Sequence, residues 1–227
     1  MKDKTWWKSW ARLTGTWLLV AVLALGLVVP VSAAEAQKDD KQVETAASQA
    51  WAWQGKAPLT EEQTQAILAV AKGERPDPSA YLDKKYMRQH LKKFRDGVSF
   101  VMGLDSYVMY VVARKFVGRE DNSCFVMPKY VCDDIARIAQ GDLAVYEQAL
   151  GFTPGYFQGH GGLVRLDVIE VADLHVRIPS GNEAGANSYW LPGGYTSGGV
   201  PEAVTDLIPK YRIQVMRIPA APDCACR

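Results

Sequence analysis

The 227-residue chain carries 26 Lys and Arg against 25 Asp and Glu, a formal net charge of +1, with 48% hydrophobic residues. So even a balance gives no electrostatic footprint for DNA or an anionic membrane, because such binding leans on clustered cations. The apolar fraction suffices for a packed core and argues against a disordered chain.

Residues 1–36 read as a cleavable export signal. Lys2, Lys4, Lys8 and Arg12 precede an apolar run from Trp17 to Val29, and Val31-Ser32-Ala33 and Ala34-Glu35-Ala36 fit a small-x-small cleavage rule. The run falls short of the roughly 20 residues of a spanning helix, so no stable membrane span is expected after cleavage, and the product is expected in the periplasm in transit or outside the cell. The remaining chain, about 190 residues, has the size of one domain. Residues 37–58 are polar and aperiodic and predict a flexible lead-in, from which Trp51 and Trp53 could dock on the domain; 59–227 read as the folded domain.

Thr60 with Gln63 forms a capping box at the head of a helix that ends by Gly73 and Pro76. A second helix is expected over 81–94, with Tyr86, His90 and Phe94 on one face. "YVMYVVARKFV" from Tyr107 reads as a strand, "GREDNS" as a turn, and "CFVMP" from Cys124 as another strand. Helix signals return over 130–150, opened by Asp133 or Asp134, restarted at Gly141-Asp142 and closed by Gly151. "LVRLDVIEV" and "DLHVRI" alternate as half-buried strands, and "YRIQVMRI" gives the last strand, with a shift that marks a bulge. Helices followed by strands predict an α+β domain with a small, mostly antiparallel twisted sheet.

Four cysteines, Cys124, Cys132, Cys224 and Cys226, in an exported chain read as two disulfides. A bond within Cys224-Ala225-Cys226 would be strained, so each tail cysteine is expected to bond one of Cys124 and Cys132. No Cys-x-x-Cys or clustered His supports a zinc site.

The least ordinary stretch is 179–203, "PSGNEAGANSYWLPGGYTSGGVPEA". Gly193-Gly194 and Gly198-Gly199 serve equally as tight turns or as close-approach points for a ligand. Trp190 suits the core better than a stacking role, Asn182 and Asn187 suit turns, Glu183 a cap or second carboxylate, and Glu202 after Pro201 the first turn of a short helix.

With "HLKKFRDG" from His90, "CFVMPK", "GDLAVYEQALGF" from Gly141 and "LVRLDV" from Leu163, this block resembles, over about residues 85–218, the C-terminal toxin domains of bacterial polymorphic toxins of the rearrangement-hotspot and contact-dependent-inhibition types. More distantly it is similar to the NAD-degrading tuberculosis necrotizing toxin family and the ADP-ribosyltransferase-like fold. The first resemblance implies an exported toxin or effector with an immunity protein among its partners. The second implies target-cell NAD as substrate, by glycohydrolysis or ADP-ribosyl transfer to a protein, with no bound cofactor. On it, Glu202 is the catalytic carboxylate, Thr196 and Ser197 bond ribose or phosphate, and Gly193 and Gly194 bring backbone to the ligand. Trp190 and Tyr195 offer stacking faces, Asn187 and Glu183 further polar contacts, and Arg165 pairs the pyrophosphate; Arg114 and Arg119 are alternatives for the arginine.

Two other functions stay open. A metal-independent ribonuclease toxin would use His160 of "GHGG" and His175, meeting across a hairpin. A non-enzymatic exported binding or inhibitory module would keep the domain without the chemistry.

Overall fold

The structure, a computed structural model, describes residues 51–218. It is a mixed α+β domain. Helix α1 (Glu61–Leu68) starts as the capping box requires: Thr60 Oγ1 accepts from the Gln63 N–H and the Gln63 side chain accepts from the Thr60 N–H. A 3-10 turn (Pro78–Ala80) leads to α2 (Lys84–Lys92), capped by Asp83.

Strand β1 (Val98–Gly103), which periodicity does not signal, is the middle of the sheet. It runs straight into α3 (Leu104–Tyr110), so "YVMYVVARKFV" is a helix and loop rather than a strand, with only Phe116–Val117 (β2) extended. The physical reason is topological. Both edges of β1 are occupied, by β3 (Cys124–Pro128) and β4 (Leu163–Val168), leaving the β-branched run nothing to pair with but the two residues of β6 (Ile208–Pro209).

Helices α4 (Lys129–Ala139) and α5 (Leu143–Leu150) follow; α4 begins at Pro128 rather than at Asp133 or Asp134, while α5 has the expected Asp142 cap and a left-handed Gly151 at its end. β5 (Ala203–Thr205) and β7 (Gln214–Ile218) complete the five-stranded antiparallel order β5-β3-β1-β4-β7. "DLHVRI" contributes one bridge, Arg177 to Val204, because His175 takes a positive φ of 45° that a ladder does not accept. Ahead of β7 the chain makes a 3-10 turn, Lys210–Arg212.

Side-chain alternation splits the sheet into two faces. Val98, Phe100, Val164, Leu166 and Val168 pack with Phe94, Val111 and Ile208 on one; Leu163 and Met127 pack with Val131, Cys132, Ile135 and Tyr146 on the other. All six residues of β4 are therefore buried, against the half-buried expectation. Cys124 and Cys132 lie in different clusters as free thiols, burial pushing each pKa up to about 12, and no disulfide occurs among the described residues. Cys224 and Cys226 lie outside the described residues, as does the expected signal.

The end of the lead-in is docked rather than loose. Trp53 is buried against the α4–α5 cluster and packs on Trp51 with ring centroids 4.7 Å apart and planes tilted by 40°, and the Gly55 N–H donates to the Gly199 carbonyl at 3.0 Å. Residues 53–57 thus brace the glycine-rich block. Trp53→Ala is expected to lower unfolding free energy by about 3 kcal/mol, since it empties a buried indole site. A urea melt measures this, and an unchanged midpoint would show the bracing to be negligible.

Candidate active site

The 179–203 block carries almost no regular structure, and its polar side chains largely tie down its own backbone. Glu183 accepts from the Ser180 and Gly181 N–H groups at 2.9 and 2.8 Å, and the Asn187 side chain accepts from the Tyr189 N–H at 2.9 Å. Asn182 takes the N–H groups of Gly73 and Arg75. Several glycines here leave no room for a side chain, Gly194 and Gly198 among them. Gly194, at φ 82°, lies where a Cβ would come 2.7 Å from His90 Nε2, and a Cβ on Gly198 would overlap the carbonyl oxygens of Gln148 and Ala149.

These contacts place Glu202. Its N–H donates to Gly194 O at 2.8 Å, its carbonyl accepts from His90 Nε2 at 2.9 Å, and the chain passes directly into β5, not into a helix. The His90 ring is buried between Tyr86 and Tyr195, and burial lowers its pKa to about 4 despite that hydrogen bond. A neutral imidazole that donates from Nε2 therefore anchors the Glu202 backbone.

The Glu202 side chain lines a cleft of about 590 Å³. It has no hydrogen-bond partner among the described residues, and burial, with Glu183 adding negative potential, raises its pKa to about 8. Protein surrounds the carboxyl closely, yet it keeps partial contact with solvent through the cleft. A carboxyl of this kind is protonated at neutral pH and positioned to give the proton up.

His160 lines the same cleft. Its Nδ1 lies 3.0 and 2.9 Å from the two oxygens of Asp105, which can only accept, so Nδ1 carries a proton and, in the neutral ring, Nε2 presents a lone pair. The imidazole hydrogen bond holds the Asp105 carboxyl below the usual range. The pair is assembled by the sheet: Gly103 sits opposite Leu163, and the N–H groups of Leu104 and Asp105 donate to Gly162 and His160 carbonyls. Arg114 and Arg119, both exposed and neither in an ion pair among the described residues, also line the cleft, with Tyr110, Phe125, Tyr156 and Tyr189.

The residues named from sequence divide accordingly. Glu202, Thr196, Asn187 and Trp190 border the cleft. Thr196, however, spends its hydroxyl on Ala149 O at 2.8 Å and on the Val200 N–H at 3.1 Å. Trp190 is core, with Arg75 stacked on its ring at 4.7 Å. Tyr195 is buried under Lys93 and His90, Gly193 packs against Ala57, and Ser197 reaches Gly151 O at the surface; none of them borders the cleft. Arg165 is corrected most sharply. It is buried, its Nε 2.7 Å from Asp167 and its guanidinium 2.5 Å from Asp133, so no donor fork is open to a pyrophosphate. His175 pairs with Asp206, so the two histidines do not meet.

Among the described residues no group of three or more His, Cys, Asp or Glu stands together as a metal site, and no helix is long and apolar enough to cross a membrane. No protein-family model and no curated protein matches the chain.

Proposed function

We propose that this chain is an exported bacterial toxin or effector whose cleft cleaves RNA without a metal. The single observation carrying the reading is that His160, its Nδ1 tied to Asp105, and Glu202, its pKa raised by burial to about 8, line one cleft with Arg114 and Arg119. Phosphodiester transesterification needs this set: a base, an acid, and cations for the charge that develops on phosphorus. The ribose 2′-hydroxyl loses its proton to His160 Nε2 as its oxygen bonds to phosphorus. The bond from phosphorus to the 5′-oxygen breaks, and that oxygen takes the Glu202 proton. The products are a 2′,3′-cyclic phosphate and a 5′-hydroxyl. The Arg114 and Arg119 guanidinium groups stabilise the equatorial oxygens.

NAD hydrolysis is the second reading, favoured by aromatic rings that line the same cleft as the Glu202 carboxyl. It gains less from this geometry. Nicotinamide leaves as a neutral molecule and needs no proton, so a Glu202 that is already protonated cannot assist its departure. The export and toxin parts of the proposal rest on the leader and on the resemblance of the 179–203 block.

The test is to incubate the protein with total RNA in the presence of a chelator, and separately with NAD. RNA fragments bearing cyclic phosphate ends, and no nicotinamide above background, are expected. Nicotinamide release that is lost in Glu202→Ala, without RNA cleavage, would instead establish the NAD reading.

A further inference from the structure

The loop after α5 builds a row of aromatic rings along the cleft beside His160. Phe152 and Tyr156 stack at 4.1 Å with their planes 4° apart, and Tyr189 meets both edge-on at 5.4 and 6.1 Å. The Tyr156 ring centroid is 6.2 Å from that of His160. Phe157 closes the row from behind, edge-on to Phe152 and Tyr156, and is buried.

The rings are held in place although the loop is rich in Gly and Pro. Buried Glu147 accepts the Gly155 and Phe157 N–H groups at 2.7 and 2.8 Å, and Thr153 Oγ1 lies 3.3 Å from the Tyr189 hydroxyl. Tyr156 nevertheless remains 40% exposed. A buried carboxylate fixing a surface loop so that an aromatic ring stays in solvent is costly for stability alone, and it suits a planar ligand.

We propose that Tyr156 and Tyr189 form a base-stacking subsite next to His160, which confines the substrate to single-stranded RNA. The proposal rests on the RNA reading above and names its substrate class. A base laid on Tyr156 sets its own ribose to one side, toward His160, where the 2′-hydroxyl has to lose its proton. Bases inside a duplex cannot reach such a platform, because both of their faces are already stacked. The shared chemistry, a planar ring bearing ribose and phosphate, also describes NAD, so the experiment separates the two.

The probe is a fluorescent single-stranded oligonucleotide with 2′-fluoro riboses, which cannot be cleaved, titrated by anisotropy with the full chain. Binding is expected to weaken on the order of 10-fold or more in Tyr156→Ala and in Tyr189→Ala, and to survive in Tyr156→Phe, in line with stacking contributions. Annealing the complementary strand should abolish it, and excess NAD should not displace the oligonucleotide. Equal affinity for the duplex, no binding by the native protein, displacement by NAD, or unaltered binding in both alanine variants with native circular dichroism would each overturn the proposal. Because no cleavage is measured, the subsite can stand while the catalytic reading fails. Conversely, cleavage of duplex and single strand at equal rates would sink the subsite and leave the catalytic reading intact.

Discussion

Replacing His160 with alanine is expected to lower RNA cleavage by about 10²- to 10⁴-fold, the usual contribution of a positioned general base, while leaving the fold unchanged. The side chain is about one-third exposed and its only polar partner among the described residues is Asp105, so little packing is lost. Asp105→Asn keeps a hydrogen-bonding group of the same shape but no longer demands the proton on Nδ1. An amide can donate to that nitrogen, which moves the proton to Nε2 and removes the lone pair proposed to take the 2′-hydroxyl proton. Asp105 is half-exposed, so water competes for the ring and the expected loss is smaller, on the order of 10-fold. Added imidazole should restore part of the activity of His160→Ala but none of that of a Glu202 variant. Initial rates on a defined oligoribonucleotide measure all three. Full activity in His160→Ala would remove the histidine from the mechanism and turn attention back to Glu202 acting alone.

Sequence spacing could not have paired these two groups. Asp105 and His160 are 55 residues apart, and only the register that sets Gly103 against Leu163 brings them together. Since β1 is six residues in a middle strand, packed on both faces, it carries neither alternation nor flanking turn signals strong enough to be read. The elements that were legible are those whose ends are written in local chemistry: the Thr60 and Gln63 capping box, the Asp142 and Gly151 limits of α5, and the "CFVMP" strand. Composition misled where partners were missing, as in "YVMYVVARKFV", and where one residue left the ladder, as at His175. At the site, Glu202 was legible as one of two carboxylates, with Glu183, in a block of turn-formers. Arg165 was not, because nothing in its neighbourhood in sequence reveals that Asp133 comes across from α4 to pair with it.

Glu202→Gln should separate catalysis from stability. The amide cannot supply a proton, so cleavage is expected to fall by about 10²- to 10⁴-fold. The proposed acid must be protonated to act, and its pKa is raised to about 8, so cleavage should decline as pH rises through that value. Stability falls over the same range, so the variant's effects on activity and on stability are opposite in sign. The unfolded chain ionises this carboxyl near the ordinary glutamate value while the folded cleft resists ionisation, so its contribution is complete below that value and is lost progressively until pH passes about 8. Glutamine has no charge to desolvate. The variant should therefore be more stable than the native protein at pH 8 and above, on the order of 2 kcal/mol once cleft water is allowed for, and nearly equal to it at pH 4. Urea unfolding at the two pH values measures the crossing. A variant that loses activity and also loses stability at pH 8 would mean that Glu202 is an ionised structural group, and the raised carboxyl could then no longer serve as the acid. A fold that tolerates this destabilising carboxyl in the cleft that His160 also lines carries the expected signature of an acid kept for chemistry rather than for packing.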